Sequence, residues 1–207
     1  MNYEIKIPME YHLAIQKRLE NFPGVQFRLA YSWILFLEKE NFNSRPIRYL
    51  EIGVYHGANF LSFAKTFGTH PESELHCIDP WEDHQEYSEY KGQQEANFEV
   101  FQKVLKENQL ENKTILHRGY SNQQIPLLED NYFDVIYIDG NHNPENVMED
   151  AVLSFRKLKV GGYLIFDDYD WQGPDMTQAG ILGFLRGYHR RVQVLPLWNN
   201  QVFVKKI

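Results

Sequence analysis

A single cysteine, Cys77, in 207 residues excludes a disulfide framework and points to a reducing compartment. No run approaches the roughly 20 apolar residues that a membrane helix needs. The longest candidate, Tyr31 to Leu37, stops at Glu38. Basic charge is also scarce, with 21 Lys and Arg against 28 Asp and Glu and a net charge of −7. A nucleic-acid or anionic-membrane surface calls for a basic face, so neither partner is expected. The opening stretch MNYEIKIPMEYH lacks the charged-then-apolar layout of a secretory leader. Internal repeats, low-complexity tracts and Pro/Gly/Ser linkers are missing too. The expectation is a cytoplasmic protein with one domain over residues 1–207, because domains run to about 150 residues.

What is present is a generous apolar fraction, 43 % hydrophobic and 15 % aromatic residues, enough for a single full core. Short apolar runs of strand length lie at Ile47 to Ile52, Glu74 to Ile78, Thr114 to Arg118, Phe133 to Ile138 and Tyr163 to Phe166. Segments with helical spacing separate them. Phe60, Phe63, Ala64 and Phe67 mark one; Phe98, Phe101, Val104 and Leu105 mark another. A third places Val147, Met148, Ala151, Val152, Phe155 and Leu158 on one face and opens with Asn143-Pro144, a cap followed by proline. Alternating strands and helices predict an α/β fold, a doubly wound Rossmann-like sheet covered on both faces. Val192 to Leu197, Trp198-Asn199-Asn200 and Gln201 to Lys205 read as a C-terminal antiparallel hairpin. Residues 1–45 are expected to form a helical extension, with Phe27, Tyr31, Ile34, Leu35 and Leu37 apolar, ahead of an α/β core over 46–207. Residues 81–94 read as a mobile polar loop, with Glu82, Asp83, Glu86 and Glu89 solvated. Gly180, Gly183 and Gly187 suggest close packing of a helix on the sheet.

The strand ends carry the chemistry, because parallel sheets bind ligands at the carboxyl ends of their strands, where strand order reverses. After the first strand comes Glu51-Ile52-Gly53-Val54-Tyr55-His56-Gly57-Ala58-Asn59. Gly53 and Gly57 permit a sharp turn and close backbone approach to a ligand. The spacing is E-x-G-x-x-x-G, unlike the G-x-G-x-x-G of a pyrophosphate cradle. An acid at Glu51 would repel phosphate and suits a ligand with a positive group, such as an ammonium or a sulfonium. Asp79 ends the second strand, 22 residues past Gly57, where a carboxylate can accept ribose hydroxyls. Pro80 and Trp81 could wall an adenine.

Asp139 ends the fourth strand in Asp139-Gly140-Asn141-His142, and Asp167-Asp168 ends the fifth. Three carboxylates at one sheet edge repel unless protons or a cation intervene. A hard divalent ion with oxygen ligands, Mg²⁺ or a similar cation on Asp139, Asp167 and Asp168, is the economical solution. His142, with a reference pKa of about 6.5, is a usable base beside such a site.

This loop resembles motif I of class I S-adenosylmethionine-dependent methyltransferases, and Tyr55 in place of the middle glycine resembles the metal-dependent catechol and caffeoyl-CoA type. Catechol-type enzymes carry a lysine where His142 stands. The D-G-x-H followed by D-D is similar to macrocin and sugar O-methyltransferases. The resemblance covers about residues 45–207. It implies a seven-stranded sheet and an S-adenosylmethionine site formed by Glu51, Gly53, Val54, Tyr55, Gly57, Asn59, Asp79, Pro80, Trp81 and Asp139, with Tyr120 and Ser121 at the adenine. It also implies methyl transfer to a hydroxyl of a small molecule (a sugar, phenol or natural product), with S-adenosylhomocysteine as product and Asp139 and His142 catalytic. A metal-independent methyltransferase, a non-catalytic S-adenosylmethionine or nucleoside-binding module and an aminopropyltransferase stay open, because fold does not fix function. A binding module would not need the cluster of Asp139, His142, Asp167 and Asp168.

Overall fold

The computed structural model describes residues 30, 33–37, 40, 42–83, 91–197 and 200–207. The expectations for most of residues 1–45, for the 84–90 part of the polar loop and for Trp198-Asn199 lie outside the described residues. Seven strands form one sheet: β1 (Arg48–Ile52), β2 (Glu74–Asp79), β3 (Thr114–Arg118), β4 (Phe133–Ile138), β5 (Leu158–Phe166), β6 (Val192–Val194) and β7 (Val202–Lys206). Their order is β3-β2-β1-β4-β5-β7-β6. The first five pair in parallel. β7 runs antiparallel between β5 and β6, so the C-terminal hairpin closes that edge. Its first strand is shorter than the apolar run predicts, ending at Val194.

Among the described residues, four long helices cover the faces: α1 (Ala58–Thr66), α2 (Gln94–Glu107), α3 (Pro144–Lys157) and α4 (Thr177–Tyr188). β1 and β4 are buried because both faces of a parallel sheet are covered. Odd and even positions therefore feed two cores. Tyr49, Cys77, Val135 and Tyr137 pack with α1, α2 and Trp33. Leu50, Ile78, Ile136 and Leu164 pack with α3 and α4.

Three expectations are corrected here. Leu158 opens β5, since α3 ends at Lys157. Met148 is 43 % exposed, so the inner face of α3 is Val147, Asp150, Ala151, Ser154 and Phe155. Gly180 packs on a helix rather than on the sheet: a Cβ there would lie 2.5 Å from the Pro144 carbonyl and 2.9 Å from Val147 Cβ. Asn143 caps α3 in extended conformation without a side-chain bond, and its N–H donates instead to Asn141 Oδ1 at 2.9 Å. Strand order reverses between β1 and β4, and this places a crevice above Ile52 and Ile138.

Candidate active site

A cavity of about 610 Å³ opens at that reversal point. The chain turns out of β1 through Gly53, with φ of 80°. A Cβ there would stand 1.9 Å from the Asp139 carbonyl oxygen, so only glycine lets β1 and β4 meet at their ends. Tyr55 follows with φ of 50°, a conformation uncommon for a non-glycine residue. Asp79 stabilises this turn, its Oδ2 accepting the N–H groups of Val54 and Tyr55, both at 2.9 Å. Its Oδ1 accepts the N–H of Trp81 at 2.8 Å. A carboxylate has about four lone-pair sites. Asp79 therefore organises the glycine loop first, with about one acceptor position left for a ligand.

Glu51, Gly53, Val54, Tyr55, Asn59, Asp79, Pro80, Tyr120, Ser121 and Asp139 line the cavity, as do His142 and Asp168. Gly57, Trp81 and Asp167 do not line it. Gly57, with φ of 81°, caps α1, and a Cβ on it would meet the Phe101 ring at 2.5 Å. Trp81 turns inward at φ of 43° and is 2 % exposed. Its ring packs on Phe98 and Phe101 and its Nε1 donates to the Tyr55 carbonyl at 3.0 Å. It supports the loop from behind.

Glu51 sits at the floor, buried, and accepts from Tyr49 Oη at 2.6 Å and Asn59 Nδ2 at 2.9 Å. Burial pushes its pKa up to about 8, against the effect of those two donors. Between pH of about 4.5 and 8 the folded chain thus keeps a proton that the unfolded chain releases, and stability falls as pH rises through that window. Glu51→Gln is expected to flatten this dependence by about 1.4 kcal/mol per pH unit, the slope of one proton. Urea unfolding of both proteins at pH 5.5 and 7.5 checks it, and parallel profiles would show a carboxylate that is ionised in the fold.

At the end of the adjacent strand β4, Asp139 Oδ1 lies 3.8 Å and Asp168 Oδ2 3.3 Å from His142 Nε2. His142 is 5 % exposed and its ring stacks on Trp171 at 4.8 Å. Burial, with the nearby Asp167 and Asp168 charges, pushes Asp139 up to about 7 while His142 opposes the shift. Asp167 is also raised, chiefly by burial. Its carboxylate accepts from Tyr137 Oη and from the Asp168 N–H.

The group brought together is Asp139, His142 and Asp168, with one ligand atom from each within 4.8 Å of the others. This is the one such group of three among the described residues, and it differs from the expected Asp139-Asp167-Asp168 set by exchanging Asp167 for His142. Two carboxylates and an imidazole fit a divalent cation.

The cavity lining also includes Gln94, Gln123, Asn146 and Glu149, which sequence reasoning did not single out. Behind that lining, Asp150 is buried on α3 and hydrogen-bonds Ser121, and burial pushes its pKa up to about 7. Its signal was an acid at helical spacing from Val147 and Ala151.

Comparison with known proteins gives one family match, a methyltransferase domain over residues 50–169. An uncharacterized protein of Acanthamoeba polyphaga mimivirus is 36 % identical over 53 residues, spanning 25 % of this chain and only 24 % of that protein. Three solved structures are similar throughout. The S-adenosylhomocysteine-bound methyltransferase PaMTH1 of Podospora anserina matches with TM-score 0.64 and 18 % identity over 100 % of both chains. An O-methyltransferase of Bacillus cereus in complex with S-adenosylhomocysteine has TM-score 0.64 and 16 % identity, covering 99 % of this chain and 94 % of that one. The O-methyltransferase TomG of Streptomyces achromogenes, in complex with S-adenosylmethionine, has TM-score 0.60 and 17 % identity over 99 % and 92 %.

Proposed function

The chain belongs to the methyltransferase domain family, and on that premise we propose that it transfers a methyl group from S-adenosylmethionine to a hydroxyl of a small molecule. The carrying observation is that one cavity joins the Glu51–Asp79 loop to the Asp139–His142–Asp168 cluster, so a donor-binding end and a proton-handling end share one space. Neighbours of the same fold that hold S-adenosylhomocysteine or S-adenosylmethionine support the donor assignment. When bound, the donor supplies a methyl on a sulfonium. Transfer of that methyl to the acceptor oxygen would leave S-adenosylhomocysteine, and His142 would take the hydroxyl proton.

Asp79 and the backbone it holds would grip the ribose, and Ser121, fixed by Asp150, would face the adenine. Glu51, at the floor, would face the amino-acid end of the donor. His142 Nε2 points between Asp139 and Asp168, and those carboxylates would stabilise the imidazolium that forms. One nitrogen cannot be both ligand and base, so with His142 as base a divalent cation falls to Asp139 and Asp168, with Asp167 beside them. Such a cation supplies positive charge that lowers the acceptor hydroxyl's pKa.

Asp79→Ala tests the donor site. Hydrogen bonds to a charged group contribute about 1.5 to 3 kcal/mol each, so S-adenosylhomocysteine is expected to bind about tenfold more weakly or worse. Calorimetry with the affinity unchanged would remove Asp79 from the site.

A further inference from the structure

A line of buried hydrogen bonds runs from Trp33 to the carboxylates of the site. Trp33 Nε1–H donates to Gln201 Oε1 at 2.8 Å. Gln201 Nε2 approaches Tyr137 Oη at 3.5 Å. Tyr137 O–H donates to Asp167 Oδ2 and lies 3.3 Å from Asp139 Oδ2. All three members are 0 % exposed. They come from the N-terminal segment, the residue before β7 and the penultimate position of β4.

The chemistry of the two ends gives the line a direction. An indole N–H only donates and an ionised carboxylate only accepts. Trp33 therefore turns the Gln201 oxygen toward itself and the amide NH₂ toward Tyr137. The tyrosine oxygen accepts there, which leaves its hydrogen for the carboxylates. Packing alone does not call for this arrangement, because an apolar trio would fill the same space with no polar group to desolvate. The receiving end gives it a purpose. Asp167 Oδ1 accepts the Asp168 N–H at 2.9 Å. Asp168 holds φ of 50°, a sparsely populated conformation for an aspartate that its surroundings must stabilise. That turn sets its carboxylate 3.3 Å from His142 Nε2.

We propose that Tyr137, oriented by Gln201 and Trp33, is a positioning residue for the cation-binding carboxylates, holding Asp167 and through it the Asp168 turn. This rests on reading the cluster as a divalent-cation site.

Mn²⁺ binding to the full chain, followed by electron paramagnetic resonance without methyl donor or acceptor, tests it. Loss of a group that orients metal ligands costs about 10- to 100-fold in metal affinity. Tyr137→Phe is expected to weaken Mn²⁺ by that factor, and Gln201→Met to weaken it less but in the same direction. S-adenosylhomocysteine affinity is expected to stay unchanged in both. If Tyr137→Phe fails to fold, Gln201→Met and Trp33→Phe carry the test. Variants that melt earlier yet bind Mn²⁺ as the unaltered chain does would make the line a packing feature and overturn the proposal. Absence of Mn²⁺ binding by the unaltered chain would overturn the cation reading itself, and the positioning role with it.

Discussion

Replacing His142 by glutamine is expected to lower kcat by about 10²- to 10⁴-fold, the usual worth of a general base, while S-adenosylhomocysteine affinity barely changes. The imidazole is almost enclosed at 5 % exposure, with Trp171 stacked on its ring. Its Nε2 lies 3.3 Å from Asp168 and 3.8 Å from Asp139. With His142 as base, those carboxylates would make an imidazolium easier to form as the acceptor loses its proton. The bonds by which Asp79 holds the glycine loop do not include His142, so donor binding is expected to be kept. A fall confined to kcat marks an interaction made only in the transition state. Near-normal kcat in the variant would make His142 a support for the Asp168 turn and Trp171, and the proton would then pass to Asp139.

Chelation is expected to abolish turnover, and added Mg²⁺ or Mn²⁺ to restore it. Asp139 is buried and shares the cluster with Asp167 and Asp168, and its pKa near 7 reflects burial first and those neighbouring charges second. Such a set is poorly suited to full ionisation without a counter-charge, and oxygen ligands favour a hard divalent ion. Asp168→Ala, which removes one oxygen donor and a neighbour of His142, is expected to stay inactive at cation concentrations that restore the chelated parent. Full turnover in excess chelator would mean that the acceptor hydroxyl is activated by Asp139 and His142 alone.

The parts of this site that were legible in the sequence are those set by short-range rules. Four of the five parallel strands end where the apolar run gives way to Gly53, Asp79, Asp139 or Asp167, and the topology brings those ends to one edge. The E-x-G-x-x-x-G spacing correctly requires glycine where a Cβ would strike the Asp139 carbonyl. The misreadings arise where two patterns agree locally. Leu158 extends the helical face of Phe155 as well as it begins a strand, and the register with Phe133 decides for β5. Trp81 follows a ligand-site motif, but a positive φ turns it into the aromatic core behind the loop. The line from Trp33 through Gln201 to Tyr137 spans 168 residues in its first bond, and no periodicity in one sequence reports such a contact. Asp150 lay within reach of sequence reasoning, since an acid on the buried stripe of an amphipathic helix requires a partner, here Ser121.

The most direct measurement is calorimetric titration of the purified full chain with S-adenosylhomocysteine, run beside NAD under the same conditions. Saturable 1:1 binding of S-adenosylhomocysteine with no heat from NAD is expected, because the E-x-G-x-x-x-G loop lacks the G-x-G-x-x-G spacing of a pyrophosphate cradle. Binding of NAD with none of S-adenosylhomocysteine would contradict the assignment of this cavity to methyl transfer.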